Sequence, residues 1–456
     1  MSRRFSLPNL LAMGAIAAAA LLLAAAPLPT SETRSLALAV AAIGLWATAA
    51  LPEHITALLF FTTAMLFGVA PAGVVFGGFE SAALWLIFGG LVIGVAVRST
   101  GLGERIAQRL SGTFGTSYAG IITGVTVVGL ALGFVMPSSM GRAILLMPIA
   151  LSLAGRFGFA PGSKGHTGVV LAAAFGCHVP TFALLPANIP NVVLAGSAET
   201  MWHVGFTYGR YLILHFPVLG LLKTAVMVPL IVRLWPDVPK PAAAPPALPM
   251  SAQEKGLAVL VMVALSLWAT DFIHHISPAW ISMAAAVVLL LPGIGLVGRK
   301  AFNEQINWGS LLYVAGIMGL GAMVDQSGLG ARLAGAILDL VPLAPGRPAG
   351  DFAGLAAVST LVGMATTLPG VPAVLTPLAG RMAEASGLSI LAVLHSQVLG
   401  FSNPILPYES APLVVAMSLG GERLGPAQLL CLLLAALTLV ALLPLDFLWW
   451  RFLGMI

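Results

Sequence analysis

Two stretches of the chain resemble each other in sequence. Residues 85–107 align with residues 312–334, and two glycines and an arginine coincide: Gly89 with Gly316, Gly94 with Gly321, and Arg105 with Arg332. Each stretch is followed by apolar segments that proline and polar residues interrupt. Internal repeats with interrupted apolar segments are typical of secondary transporters. The sequence therefore predicts two structural repeats that move a solute across a bilayer.

Composition indicates an integral membrane protein. Apolar residues make up 59% of the 456 residues and charged residues only 8%, whereas soluble proteins carry about 25% charged residues. Because a helical span needs about 20 mostly apolar residues, we predict an all-α membrane protein with about eleven transmembrane helices and two re-entrant hairpins. The predicted spans are residues 8–28, 35–51, 55–72, 81–97, 167–198, 207–232, 256–271, 277–296, 308–325, 389–420 and 426–449, and the predicted hairpins are residues 116–158 and 352–387.

The sequence gives little support to other classes of function. The net charge is +5, but the basic residues are scattered among short loops, so no nucleic-acid partner is expected. Cys177 and Cys431 lie in apolar segments, which indicates neither a disulfide framework nor a thiol metal site. A His-Glu-x-x-His zinc motif and a Walker phosphate loop are both absent. We therefore predict that the chain is not an enzyme and carries no cofactor.

Basic residues predict the orientation in the membrane. Arg3 and Arg4 precede an apolar run that fits either a signal peptide or a retained first helix, and the length of the run favours the helix. With the N-terminus in the cytoplasm, most loop arginines and lysines also lie there, and the C-terminus lies outside. The predicted location is the cell inner (plasma) membrane.

A proline-rich stretch divides the chain into two halves. We predict an N-terminal helix in residues 1–32, a first repeat in residues 33–235, a cytoplasmic linker in residues 236–255, and a second repeat in residues 256–456. Five spans and one hairpin in each half place the second repeat in the membrane with opposite orientation. The two repeats are therefore expected to be inverted.

Each hairpin is predicted to turn at a polar, proline-containing tip. The tips are residues 136–142 and 365–372. The arms of the first hairpin, residues 121–135 and 143–154, are short for a full span, which favours a re-entrant loop with its turn near the middle of the membrane. The alternative is an ordinary helical pair with a turn at the surface.

Each hairpin is followed by a helix that proline residues break. The breaks are residues 185–191 and 406–412. The N-terminus of a half-helix carries partial positive charge that suits an anion, whereas unwound carbonyl groups can coordinate a small cation. A simple proline kink is the alternative for either break alone. Four breaks that are paired by the repeat favour a binding site.

Few charged residues are predicted to lie deep in the membrane. Glu409 is the only acid placed there, and it binds either a cation or proton, or an arginine in a structural ion pair, with Arg142 and Arg381 as candidates. Arg142 either offsets the charge of an anionic solute or extends to the cytoplasm. Lys223 lies inside a span without an evident partner, and for His178 a packing role is favoured over proton coupling.

The chain resembles the divalent anion/sodium symporter family. The resemblance is carried by the order of segments, the sequences GLGERIA (101–107), GLGARLA (328–334) and LLMPIALSLAG (145–155), and the paired broken helices. It implies a homodimer in which a scaffold part holds the dimer. A transport part would carry sodium and a dicarboxylate or sulfate by an elevator motion. The Ser-Asn-Thr tips of that family are matched in part: Ser138 keeps the serine, Ser139 and Met140 replace the other two residues, and the second tip has Thr367, Leu368 and Pro369.

These patterns together predict a cation-coupled transporter of a small anion, driven by Na⁺ or H⁺, with sodium as the favoured ion. The alternative is a cation/proton antiporter or oxyanion exporter of the same superfamily. The predicted substrate-binding residues are Ser138, Ser139, Arg142, Asn188, Asn191, Thr366, Thr367 and Ser410, and the predicted cation-binding residues are Ser138, Gly141, Ala187, Thr366 and Glu409.

Overall fold

A computed structural model describes residues 7–25, 30–48, 50–103, 105, 117–136, 138–240, 249–293, 295–341 and 343–456. Arg3, Arg4 and residues 241–248 of the predicted linker lie outside the described residues. The helices of eight or more residues are α1 (Leu7–Ala25), α2 (Thr30–Thr48), α3 (Glu53–Leu66), α4 (Ala82–Thr100), α5 (Tyr118–Val135), α6 (Ser139–Arg156), α7 (Lys164–Gly176), α8 (Ile189–Trp202), α9 (Tyr208–Leu234), α10 (Ala252–Ala269), α11 (Pro278–Leu290), α12 (Trp308–Gln326), α13 (Leu329–Leu340), α14 (Pro348–Ala365), α15 (Gly370–Ser386), α16 (Ile390–Phe401), α17 (Ala411–Leu419) and α18 (Leu424–Phe452).

The described part of the chain is helical and contains no strand, as predicted. Seven of its helices are long and apolar enough to cross a membrane alone, and the bent pair α15 and α16 would make an eighth span. This count is lower than about eleven because other predicted spans form shorter helices, such as α3 and α11, or are broken into two pieces. The predicted fold class is confirmed, and it consists of intact spans mixed with interrupted ones.

Helices of one predicted repeat pack against helices of the other at corresponding glycines. α4 packs against α11, and α12 packs against α3. A Cβ atom on Gly89 would lie 2.6 Å from the backbone of Ser282, and one on Gly316 would lie 2.8 Å from Cβ of Ala57. Gly89 and Gly316 are the residues that the sequence alignment pairs. A small residue at these positions therefore allows the same close helix approach in both halves.

The hairpins pack against the broken helices in the same reciprocal way. α5 contacts α7 where Gly129 meets Gly176, and α14 contacts α16 where Ser359 meets Gly400. In the other direction, α6 packs against α17, and α15 packs against α8. The first arm of each hairpin thus packs on the broken helix of its own half, and the second arm packs on the broken helices of both halves. This arrangement brings the hairpin tips and the breaks together.

The arms of the first hairpin are longer than predicted. Both α5 and α6 contain 18 residues, or about 27 Å of helix at 1.5 Å per residue. α5 begins where Ser117 Oγ accepts a hydrogen bond from the backbone N–H of Gly120, and α6 begins where Ser138 Oγ accepts one from Gly141. These serine caps add a turn of helix that the apolar pattern alone did not reveal.

The helices that end the two halves share an irregularity. α9 contains a π-helical turn at Phe216–Leu222, and α18 contains one at Thr438–Leu442. The two turns pack against each other. Asp446, four residues beyond the second turn, is wholly buried. Like Glu409, Asp446 is therefore a buried acid on a predicted span.

Candidate functional site: a cavity between hairpin tips and broken helices

Residues from all four predicted breaks line one cavity of about 160 Å³. The hairpin tips contribute residues 138–140 and 367–369, and the broken helices contribute residues 188–190 and 408–412. The first break runs from the end of α7 through two short 3₁₀ turns to α8, and the second runs from α16 through one such turn to α17. Proline residues in each turn prevent the helix from continuing.

Four helices begin at the wall of this cavity. α6 begins after Ser138, α8 after Asn188, α15 after Pro369, and α17 after Ser410. Ser410 Oγ accepts a hydrogen bond from the backbone N–H of Leu413, as expected of an N-cap. The first N–H groups of a helix have no partner within the helix. Four helix N-termini, with their partial positive charge, therefore lie at the cavity; the first N–H groups of α15 donate to the carbonyls of Thr367 and Leu368.

Arg142 lies behind the first half of the cavity wall. Its guanidinium is fully buried and donates hydrogen bonds to six oxygen atoms. Three are backbone carbonyl oxygens, of Met136, Cys177 (2.9 Å) and Ala187 (3.0 Å), and three belong to the side chains of Ser139 (3.0 Å), Thr181 (2.9 Å) and Asn188 (3.3 Å). Arg142 is absent from the cavity lining, and its burial rules out the alternative of an extension to the cytoplasm.

A hydrogen-bonded network joins the first hairpin tip to the first break. Ser139 Oγ donates to Asn188 Oδ1, and Asn188 Nδ2 donates to Thr181 Oγ1 at 3.0 Å. Thr181 Oγ1 in turn donates to the carbonyl of His178 at 2.7 Å. Because Arg142 contacts three members of this network, the first hairpin tip and the first break are held in one fixed arrangement.

The second half of the cavity is built around Glu409. Its Oε1 atom accepts the backbone N–H groups of Ile405 (3.1 Å) and Leu406 (2.7 Å). Its backbone carbonyl accepts the N–H of Leu368 at 3.1 Å, which ties the second break to the second hairpin tip. In the part of the chain that the structure describes, Glu409 forms no ion pair, and Arg381 instead lies 3.8 Å from Glu384. The predicted alternative of a pair with Arg142 or Arg381 is not found.

A hydrogen bond joins the two halves of the cavity directly. Ser410 Oγ lies 2.6 Å from His178 Nε2, and both residues line the cavity. The ring of His178 also packs edge-on against Phe182, with ring centroids 4.8 Å apart. His178 therefore has both the packing contact that was favoured and a polar contact across the site.

The structure places six of the predicted site residues on the cavity wall: Ser138, Ser139, Asn188, Thr367, Glu409 and Ser410. The others lie elsewhere. Asn191 donates to the carbonyls of Phe182 (3.0 Å) and Leu184 (2.7 Å), so its amide fixes the shape of the break. Thr366 donates to the carbonyl of Val362 and lines a smaller neighbouring cavity. The carbonyl of Ala187 accepts from Arg142, and Gly141 donates its N–H to Ser138.

Family membership follows from a comparison over nearly the whole chain. A family model described as the sodium:sulfate symporter transmembrane region matches residues 5–456. The chain belongs to this family. The resemblance to divalent anion/sodium symporters is thereby confirmed, and the protein is a multi-pass membrane transporter of the sodium:sulfate symporter family.

Several relatives of this symporter-family protein have been identified. A membrane protein from Cupriavidus necator is 28% identical over 407 residues, which cover 78% of this chain and 79% of the relative. Dicarboxylate transporter 2, chloroplastic, from Spinacia oleracea is 25% identical, with 63% of this chain and 53% of the relative covered. Sodium-dependent dicarboxylate transporter SdcS from Staphylococcus saprophyticus is 22% identical, with coverage of 62% and 60%. The alignment thus spans between half and two thirds of these two transporters.

A solved structure supports the fold of this symporter-family chain. The crystal structure of the Alcanivorax borkumensis YdaH transporter, which reveals an unusual topology, matches with a TM-score of 0.56 and 16% sequence identity. The match covers 87% of this chain and 89% of the YdaH chain. At this level of identity the likeness concerns the fold alone.

Sequence reasoning missed cavity residues that come from helices outside the breaks. In this family member, α2 contributes Trp46, α3 begins with Glu53, and Asn307, Ser310 and Tyr313 come from the start of α12 and the residue before it. Glu53 follows Pro52 and begins α3, so an acid at a helix start beside a span was the available signal. The other four carry no local signal, because only the packing of α2 against α12 and of α12 against α15 brings them to the cavity.

Proposed function

We propose that the chain is a secondary active transporter that couples a cation, with sodium the expected ion, to the movement of a small divalent anion such as a dicarboxylate or sulfate. The observation that carries the proposal is the convergence of four helix N-termini on one cavity. Oriented backbone N–H groups attract an anion without requiring a basic side chain. The names of the transporters from Spinacia oleracea and Staphylococcus saprophyticus support the dicarboxylate class.

Electrostatics of the lining support an anion that binds through dipoles and hydroxyl groups. Among the described residues that line the cavity there is no lysine or arginine. Ser138, Ser139, Thr367 and Ser410 supply hydroxyl groups, which can donate to anion oxygens. Each helix N-terminus carries roughly half an elementary positive charge. Four helix N-termini supply positive potential that favours a dianion. Because no basic side chain forms an ion pair with the dianion, it can also dissociate.

Cation coupling is proposed to involve Glu409. Its carboxylate lines the cavity and carries no ion-pair partner among the described residues, while only Oε1 accepts backbone N–H groups. The other oxygen is therefore free to bind a coupling cation beside the solute. Unwound backbone after Ser402, whose own carbonyl accepts from Lys223, supplies further carbonyl oxygens, which are the ligands that sodium takes in broken helices.

We further propose that the chain works as two inverted repeats, with residues 33–235 and 256–456 as the halves, in a homodimer that moves its hairpins and broken helices as an elevator. The matched contacts of Gly89 with Ser282 and of Gly316 with Ala57 support the repeat. Native mass spectrometry of detergent-solubilised protein tests the dimer. Cysteine labelling from each side of the membrane tests the cytoplasmic N-terminus, the external C-terminus and the bacterial inner membrane as the location.

Uptake into proteoliposomes tests the main proposal. Purified protein is reconstituted, sodium or proton gradients are imposed separately, and uptake of radiolabelled sulfate and succinate is measured. We expect accumulation of one of these dianions that depends on an inward sodium gradient and is absent from protein-free vesicles. Absence of gradient-driven uptake of every dianion tested would contradict the proposal.

A second candidate is a cation/proton antiporter or oxyanion exporter, and the position of Glu409 in the cavity without an arginine partner favours it. A buried carboxylate of this kind can exchange protons with either side of the membrane. The variant Glu409→Gln distinguishes the candidates. Loss of proton-coupled flux with intact anion uptake favours the antiporter, whereas loss of sodium-driven anion uptake favours the symporter.

A further inference from the structure

Arg142 is the largest fully buried charged side chain among the described residues, and the proposed transport cycle does not use it. It is fully buried, although it lies only three residues after the first residue of α6 at the cavity wall. Within the described part of the chain its guanidinium faces no carboxylate, and oxygen atoms of neutral groups take its place as partners. A buried cation that is satisfied wholly by neutral oxygens requires an explanation.

The carbonyl partners of Arg142 lie where helices end. Met136 is the C-cap of α5, Cys177 is the C-cap of α7, and Ala187 ends the last 3₁₀ turn before α8. Carbonyl oxygens at helix C-termini lack intrahelical partners and carry partial negative charge. Such half-helix C-terminal ends and unwound carbonyls are where transporters of this architecture coordinate a coupling cation. The guanidinium occupies the position at which the first repeat would hold such an ion.

A second arginine approaches the same tip. A Cβ atom on Gly141 would lie 3.1 Å from Nη1 of Arg98 and 3.4 Å from Oγ of Ser138. Gly141, Ser138 and Ala187 are the residues that the sequence predicted to bind a cation in the first half. The Ala187 carbonyl accepts from the guanidinium of Arg142, and Gly141 directly precedes Arg142 and lies beside the side chain of Arg98; the positive charge of Arg142 disfavours a second cation among these oxygens. The oxygen ligands of the first half therefore do not fit a sodium ion.

We propose that the guanidinium of Arg142 is a resident cation that takes the place of a coupling sodium ion in the first hairpin and the first broken helix. Sodium then binds in the second half alone, beside Glu409. The proposal rests on the proposed transport function for its meaning. Its test, however, counts bound ions and needs no transport.

Equilibrium binding of ²²Na⁺ to the purified full-length protein tests this proposal. The wild type is expected to bind no more than one sodium ion per chain. Arg142→Ser, which removes the guanidinium and leaves its oxygen partners, is expected to bind one ion more than the wild type. Arg142→Lys, whose ammonium can reach the same carbonyls, is expected to bind as the wild type does, and so is the control Arg381→Ser on the exposed face of α15.

Glu409→Gln separates the two halves of the site. With Arg142 intact, this variant is expected to bind almost no sodium at the concentration that half-saturates the wild type, and the double variant Arg142→Ser with Glu409→Gln is expected to regain sodium binding through the first half. Two sodium ions per wild-type chain, or sodium binding that survives Glu409→Gln, would overturn the proposal. So would a folded Arg142→Ser protein with no additional ion. If Arg142→Ser does not fold, the counts for the wild type and Glu409→Gln still decide. A protein that fails to transport dianions contradicts the proposed function and leaves these counts unaffected.

Discussion

The first and second halves of the cavity share a backbone plan and differ in charge. Both place a hairpin tip against a broken helix, and both present two helix N-termini to the cavity. In the first half, Arg142 is buried behind the cavity wall and donates hydrogen bonds to three backbone carbonyl oxygens. In the second half a glutamate faces the cavity, and hydrogen bonds from Ile405 and Leu406 hold one of its oxygens. The repeated backbone determines where the helices end. The side chains near each end, Arg142 in the first half and Glu409 in the second, determine the charge of the ion that can bind there.

A buried cation also caps the second broken helix, from a different direction. Lys223 Nζ donates to the carbonyl of Ser402 at 2.8 Å and to Oδ1 of Asn403 at 3.1 Å. Ser402 is the C-cap of α16, as Cys177 is the C-cap of α7. Lys223 comes from α9 and lies outside the cavity lining, so the carboxylate of Glu409 stays free. The residue that had no evident partner in the sequence thus closes the C-terminal end of a half-helix.

Loss of the Arg142 guanidinium in the first half is expected to have the largest effect on the stability of the protein. Arg142→Met keeps the volume of the side chain but removes a donor from six buried oxygens, of which Asn188 Oδ1 and Thr181 Oγ1 keep another donor. Because each unsatisfied buried acceptor costs about 1–3 kcal/mol, we expect a large fall in the thermal unfolding midpoint of the detergent-solubilised protein. Arg381→Met, which changes an exposed arginine, is the control. Equal midpoints for the two variants would contradict the contrast between the halves.

Change of the acid in the second half is expected to act on coupling and to spare folding. Glu409→Gln retains an Oε1 atom that accepts the N–H groups of Ile405 and Leu406, so the unfolding midpoint should stay close to that of the wild type. A charged ligand contributes about 1.5–3 kcal/mol, so the apparent sodium affinity for uptake should fall by about 10- to 100-fold. The exposed Glu384→Gln on α15 is the control. An unchanged sodium dependence of Glu409→Gln would rule out its role in coupling.

Much of the backbone plan could be predicted from the sequence. Proline with polar neighbours inside apolar segments located both hairpin tips and both breaks, since proline cannot continue a helix and leaves backbone groups free. The matching stretches around Gly89 and Gly316 paired the halves. Ser138, Ser139, Asn188, Thr367, Glu409 and Ser410 were placed on the cavity wall for the same reason, because they belong to the breaks themselves.

The partners of long side chains could not be predicted. Arg142 follows a hairpin tip, so the solute and the cytoplasm were both within reach of its side chain, and only the tertiary arrangement places three carbonyls around it. Asn191 belongs to a break but its amide turns to the carbonyls of that break. Tyr313 reaches the cavity through the packing of α12, which no local pattern encodes.

Alanine substitutions at the glycine contacts between the halves are expected to lower the unfolding midpoint by smaller amounts that differ between the two sites. A methyl group on Gly89 would collide with the backbone of Ser282, whereas one on Gly316 would meet the side chain of Ala57. Overpacking costs about 1–3 kcal/mol, and backbone relaxes less readily than a side chain. We expect Gly89→Ala to lower the unfolding midpoint more than Gly316→Ala. The control Gly155→Ala has free space around it and should cause no loss. The reverse order for the first two variants would contradict this account.

The N-cap serines of the two halves are expected to show the smallest difference in stability. Ser138 caps α6 and Ser410 caps α17, but only Ser410 also hydrogen-bonds across the cavity, to Nε2 of His178. Loss of a cap costs about 1 kcal/mol, and loss of the additional hydrogen bond costs about 1 kcal/mol more. Ser410→Ala should therefore lower the unfolding midpoint more than Ser138→Ala, and His178→Ala should remove the difference in a double-mutant cycle, because the bond it shares with Ser410 is then already lost. If the two serine variants lower the midpoint equally, then the hydrogen bond between Ser410 and His178 does not hold the two halves of the cavity together. In that case the network around Arg142 would be the stronger structural element of the site.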